Sequence, residues 1–176
     1  MEEKFTIWTI GHSTRSFSEF LKLLQHNSIK LLVDVRSLPG SRKFPQFNKE
    51  NLETELPANG IQYQHMLALG GRRKVHKDSK NIAWRNASFQ GYADYMETKE
   101  FREALNQLEV SSKDQKTCIM CSEAVWWRCH RSMIADALKL DGWKVLHILS
   151  LTNLEEHPYT SPATIENGKL LYTKAE

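Results

Sequence analysis

The chain has 176 residues, 40% hydrophobic and 26% charged, with a formal net charge of +3. That balance is typical of an ordinary soluble globular protein and excludes a disordered or collagen-like chain, and the length suits one domain of about 100 to 200 residues with a sizeable core. No apolar run approaches the ~20 residues of a membrane span, and the mild positive charge is compatible with nucleic acid without pointing to it.

The N-terminus, MEEKFTIWTIGHS, opens with acids and lacks the basic region and long apolar stretch of a signal peptide, which predicts a cytoplasmic protein. Phe5 to Ile10 is short, β-branched and aromatic and stops at Gly11, as a buried strand does. Ser16 followed by Glu19 is a capping-box signature, and Phe17, Phe20, Leu21 and Leu24 then form an apolar helical stripe. Lys30 to Val35 is a second strand, parallel to the first because a helix separates them. The segment that follows, RSLPGSRKFPQF, holds two prolines and a glycine and reads as a long loop. Asn48 is placed to cap a helix over residues 49–56, closed by Asn59-Gly60 before a strand from Ile61 to His65.

Leu69 to Lys80 is opened by glycines and rich in Lys and Arg, the pattern of a mobile basic loop. Ser88 and Thr98 are expected to cap two helices, with stripes at Tyr92, Tyr95 and Met96 and at Phe101, Leu105 and Leu108. Lys116 to Cys121 is the fourth strand, a helix follows from Arg131 to Leu140 with Gly142 as its stop, and Trp143 to Leu149 is the fifth strand. This alternation predicts an α/β fold of three layers, α/β/α, with a central mostly parallel sheet of about five strands in the Rossmann-like or flavodoxin-like manner. Residues 1–150 form one α/β domain in this reading, and 151–176 are a tail without a clear pattern.

Three polar clusters follow predicted strands: Gly11 to Thr14, Asp34 to Arg42, and Cys121 to Arg131. In a parallel sheet such ends share one edge, where ligands bind at the reversal of strand order. Cys121 is the sharpest candidate, because a helix start and two arginines, Arg128 and Arg131, would lower its pKa and make it a nucleophile; the plainer reading is a small buried residue at a strand end. The three cysteines, Cys118, Cys121 and Cys129, are odd in number and closely spaced, which argues for reduced thiols over a disulfide framework. Cys118, Cys121, Cys129 and His130 also allow a zinc reading, weakened by the position of Cys118 inside a strand.

Glu123 is either a solvated ion-pair partner or an acid or base within reach of the thiol. His12 reads as a hydrogen-bonding or ligand residue, and His147 as core. Arg36, Ser41 and Arg42 carry the groups that hold a phosphate or carboxylate, although Arg36 has the alternative of tying down Asp34. Arg72 and Arg73 follow the same logic. Phe44, Phe47, Trp126 and Trp127 lie in loops, where they stack on a base or cap the core edge.

These residues resemble the DUF488 family, small bacterial and archaeal proteins. The resemblance rests on Thr9-Ile-Gly-His-Ser13, Asp34-Val-Arg36 with Pro39 and Ser41-Arg42, Leu69-Gly-Gly71, Tyr92-Ala-Asp-Tyr-Met96, and Cys121-Ser-Glu123 with Cys129-His-Arg131, in order over residues 6–150. It implies an α/β fold with the motif residues His12, Ser13, Asp34, Arg36, Ser41, Arg42, Cys121, Glu123, Cys129, His130 and Arg131 gathered at one edge. It implies no activity.

The residues together predict an enzyme whose crevice takes a phosphate-bearing anion, a nucleotide or nucleic acid. Cys121 is nucleophile or sulfur carrier, Glu123 and His12 move protons, and Ser13, Asp34, Arg36, Ser41, Arg42, Arg72, Cys129, His130 and Arg131 bind substrate. No cofactor, metal or membrane is expected. The alternatives are a non-catalytic nucleic-acid-binding module using the loop from Arg72 to Lys80, and a structural zinc domain.

Overall fold

The computed structural model describes residues 4–173. The short β-branched and apolar runs form β1 (Thr6–Gly11), β2 (Leu31–Asp34), β3 (Gln62–His65), β4 (Thr117–Cys121) and β5 (Lys144–Ile148), all mutually parallel. A sixth strand, β6 (Leu154–Glu156), adds antiparallel to the free edge of β5, giving the order β3-β2-β4-β1-β5-β6. One strand more than expected therefore comes from the segment read as a tail.

The layers follow from the period-two alternation of side chains. Leu32, Cys118 and Met120 face α1 (Phe17–His26) and α2 (Lys49–Ala58), through Phe20, Leu24, Leu52 and Leu56. Leu31, Val33, Ile119 and Cys121 face the other way, toward α3 (Ala87–Met96), α4 (Lys99–Asp114) and α5 (Arg131–Leu140). This is a three-layer α/β/α fold. β4 lies between β1 and β2, and its chain leaves toward α5 on one face while both neighbours leave toward helices on the other. The crevice at a topological switch point therefore opens above Cys121.

The helix starts follow local chemistry. Ser16 Oγ accepts from Glu19 N–H and Glu19 Oε1 from Ser16 N–H, both at 3.1 Å, completing the capping box of α1. Thr98 caps α4 through Phe101 N–H. At α3 the cap is Asn86, whose Oδ1 accepts from Ser88 and Phe89 N–H; Ser88, the residue expected there, is already inside the helix. Asn48 precedes α2 as expected, but its Oδ1 accepts from Ser41 N–H at 2.7 Å and so fixes the preceding loop instead of the helix. Gly142, at φ +96, is the left-handed stop after α5. Among the described residues no helix is long and apolar enough to cross a membrane.

The segment after residue 150 is fastened to α5 by one carboxylate. Asp136, fully buried, accepts from His157 Nε2 (2.8 Å), Thr160 N–H (2.9 Å), Thr160 Oγ1 (2.6 Å) and Tyr172 Oη (2.7 Å). Beyond these anchors, β7 (Thr164–Glu166) and β8 (Lys169–Leu171) form a hairpin, with Leu170 packed against the core that α5 helps to build. Asp136→Ala strands several buried donors at once and should cost on the order of 3–5 kcal/mol in urea unfolding. A loss under about 0.5 kcal/mol, the range of an ordinary surface change, would show that the carboxylate does not hold the tail.

Candidate functional site

The loops after β1 and β4 are zipped together. Gly11 is in register with Cys121, His12 N–H donates to the Cys121 carbonyl at 2.9 Å, and Ser13 N–H donates to the Ser122 carbonyl at 3.0 Å. A Cβ at Gly11 would lie 1.5 Å from the Glu123 carbonyl oxygen, so only glycine permits this approach. Ser13 then turns at φ 53, a left-handed conformation that a non-glycine residue holds only under constraint.

Above this seam is a crevice of about 610 Å³, the size of a small-molecule site. Its first wall is His12, Ser13 and Thr14 after β1, and its second runs from Arg36 through Ser41 to Phe44 after β2. The floor and third wall come from Cys121 to Ala124 and Arg128 to His130. The fourth joins Gly71 and Arg72 to Ser88, Phe89 and Tyr92.

The crevice thus collects His12, Ser13, Arg36, Ser41, Arg72, Cys121, Glu123, Cys129 and His130 from the sequence-predicted set. It leaves out Asp34, Arg42 and Arg131. Arg42 is exposed outside the lining. Asp34 is buried and holds Arg36 by two contacts, Nε to Oδ1 at 2.9 Å and Nη2 to Oδ2 at 2.7 Å, while the same Nη2 donates to the Phe47 carbonyl. Most of the Arg36 fork is therefore spent on its own loop, and the crevice guanidinium groups without a side-chain partner among the described residues are those of Arg72 and Arg128.

Arg131 lies beneath the floor. It is fully buried, Nη2 donates to the Ala124 carbonyl at 3.3 Å, and among the described residues its Nε and Nη1 have no hydrogen-bond partner. Among the described residues no carboxylate is ion-paired with it; Glu123 is exposed. Burial alone would raise the Cys121 thiol, but its hydrogen bond to the Cys129 thiol, the Arg131 charge and a backbone hydrogen bond at Glu123 outweigh burial and hold it below the ordinary thiol value. Burial and the neighbouring Cys121 push Cys129 well above that value. One thiol of the pair favours its anion and the other keeps its proton.

The expected cradle of free N–H groups at the start of α5 is not open. Arg131 N–H points to Cys129 Sγ at 3.5 Å, and Ser132 N–H donates to the Cys129 carbonyl at 3.0 Å, so the first turn closes on its own chain. Both imidazoles of the crevice are neutral at neutral pH. His12 Nδ1 donates to the Ser13 carbonyl (2.9 Å), the ring stacks on Phe47, and burial lowers its pKa to about 4. That hydrogen bond leaves Nε2 as the basic nitrogen. His130 Nε2 donates to the Val35 carbonyl (2.8 Å), its Nδ1 lies 3.6 Å from Cys129 Sγ, and burial likewise lowers its pKa to about 4.

Cys118 points to the opposite face of the sheet from Cys121, because residues three apart on a strand face opposite ways, and it packs with the core under α1. Among the described residues no group of three His, Cys, Asp or Glu side chains is arranged to hold a metal, so the four-ligand zinc arrangement does not form. Of the loop aromatics, Trp126 stacks on His147 at 4.8 Å and Phe47 is buried, both closing the core edge, whereas Phe44 lines the crevice. Tyr92 is core, as its place in the helical stripe predicts, and also touches the crevice; Ser88, expected only as a cap, and Phe89, which sequence reasoning passed over, are carried by α3 to the fourth wall. The basic loop is tied to α3 by Asp94, which accepts from His76 N–H, Ser79 Oγ and Asn81 Nδ2. At Gly91 of α3 a Cβ would meet the Arg73 carbonyl at 2.1 Å. The loop expected to be mobile thus lies directly against the helix.

Fold and site define a class: a three-layer α/β protein with a thiol at the switch point of its sheet. The model of the family described as domain of unknown function DUF488 matches residues 16–138, and the chain belongs to that family. No curated protein and no solved structure matches the chain. The match begins after the Gly-His-Ser turn and ends before β5.

The buried imidazoles make stability depend on pH. His12 and His130 bind protons less readily folded, at about 4, than unfolded, at about 6.5, and burial drives His147 to about 2. Between those values the unfolded chain binds more protons, so stability is complete above about 6.5 and falls as pH drops toward 4. The urea midpoint should decrease from pH 7.5 to pH 5; an unchanged midpoint would mean that these rings are not buried as neutral species.

Proposed function

We propose that this chain is a cytoplasmic enzyme that binds a phosphate-bearing anion of nucleotide size in the crevice and reacts with it through the Cys121 thiolate. What carries the reading is the buried Arg131 guanidinium, which among the described residues has two unpartnered nitrogens and no ion-paired carboxylate, beneath the floor thiol. A buried cation needs a compensating anion, and Cys121 supplies one as it ionises. Arg72 and Arg128 hold the phosphate, and the hydroxyls of Ser13, Thr14, Ser41 and Ser122 add donors around it. Phe44 and Phe89 offer faces to an attached ring. His12 Nε2, left basic by the Ser13 hydrogen bond, accepts a proton, and Glu123 at the rim exchanges one with solvent.

The crevice volume favours a mononucleotide over a long nucleic acid as occupant. The thiol shows only 2% of its surface, so the reacting atom must be small and reach it end-on.

Iodoacetamide modification of Cys121, followed across pH by mass spectrometry, tests the thiolate. The midpoint of its rate should fall below the ~8.5 of a free cysteine, and a nucleoside monophosphate should slow the reaction, with protection lost in Arg72→Ala/Arg128→Ala. A Cys121 titrating like a free thiol would end the nucleophile role, and protection that survives the double substitution would end the assignment of the two arginines.

A further inference from the structure

The proposed reaction uses one thiol, yet the crevice floor holds two. Cys129, like Cys121, lines the cavity, showing 6% of its surface against 2%. Its sulfur is oriented by Arg131 N–H at 3.5 Å and lies 3.6 Å from His130 Nδ1. The Val35 carbonyl fixes His130 with its proton on Nε2, so the nitrogen facing Cys129 is a lone pair. An acceptor nitrogen thus lies beside the Cys129 sulfur, and Cys129 shares the crevice floor and the core cluster behind it with Cys121. Both cysteines are free in the structure, and Cys118 is separated from them by the sheet.

We infer that Cys121 and Cys129 form an attacking and resolving pair that closes to a disulfide across the crevice floor when a small hydroperoxide enters. The inference rests on the Cys121 thiolate proposed above. The narrow exposure of both sulfurs selects an oxidant of that size over a bulky disulfide. In the first step the Cys121 thiolate attacks the terminal peroxide oxygen; an S–O bond forms, the O–O bond breaks, and the alkoxide leaves and takes a proton from water as the alcohol. In the second, Cys129 attacks Cys121 Sγ while its proton is relayed through His130 Nδ1 to the leaving oxygen. The S–S bond forms, the S–O bond breaks, and hydroxide leaves with the His130 proton as water. Two electrons pass from two thiols to one peroxide, and a dithiol reductant restores the thiols by exchange. The closed form has no thiolate, so it cannot carry out the proposed reaction.

The test treats the reduced protein with hydrogen peroxide in the presence of dimedone and digests it with trypsin without reduction. Cleavage after Arg128 separates Cys121, in peptide 117–128, from Cys129, in peptide 129–131. The two peptides should be linked, with fragmentation placing the bond on Cys121 and not on Cys118 of the same peptide, and with no dimedone on Cys121. Cys129→Ser should give a dimedone adduct on Cys121 and no link, and His130→Asn should slow linkage on the order of 100-fold while the adduct accumulates. A wild-type protein whose Cys121 and Cys129 both remain alkylatable, or one that links Cys118 instead, overturns the pair. If Cys121 still alkylates with a low pH midpoint in that case, the thiolate reading stands and only the pair fails; if it does not, both fail.

Discussion

A buried guanidinium with no carboxylate partner among the described residues is the constraint on which the crevice floor depends. An arginine in a protein interior costs several kcal/mol unless its charge is compensated, and Arg131, the first residue of α5, is completely buried with one carbonyl contact. Its charge reaches several neighbours. It helps to lower Cys121 against the effect of burial, and it adds to burial in keeping His130 and His147 unprotonated. Burial sets most of the protonation here and the fixed cation reinforces it, with an ionisable sulfur next to imidazoles that remain neutral.

That cation needs a close-fitting surround, which the strand ends supply. The absent side chain of Gly11 lets the Glu123 backbone come against β1, and Arg131 Nη1 lies 3.0 Å from where the Cβ of a residue at Gly11 would be. The β1–β4 seam thus closes over the guanidinium, and the Ala124 carbonyl caps its Nη2. The chain of His147, His157 and Asp136 extends the same buried polar layer to the C-terminal segment, linked at 2.8 Å at each step.

Much of this was legible in the residues. Capping chemistry located α1 and α4, helical periodicity and Gly142 bounded α5, and alternation of strand and helix required a parallel sheet whose ends share an edge. The gathering of the Gly-His-Ser and Cys-Ser-Glu turns followed from that geometry without any distance being known. What escaped was the direction of individual side chains. Arg36 lies two residues from Asp34, and nothing local says whether it binds a ligand or its neighbour. Asn86 and Ser88 are both good caps, and the sequence does not rank them. The C-terminal segment is held by bonds that reach 36 positions back to Asp136, and contacts of that range leave no periodic trace. A buried carboxylate on an otherwise ordinary helix was the only available sign.

Gly91 has a consequence for the shape of the crevice mouth. Because the Arg73 carbonyl occupies the space where a side chain would be, and Asp94 ties the following residues to the same helix, Arg72 and Phe89 belong to a single rigid jaw. The Gly11 seam makes the opposing floor equally unyielding. The width of the opening between two such parts is therefore set by backbone packing at Gly11 and Gly91 and not by the rotamers of its lining side chains.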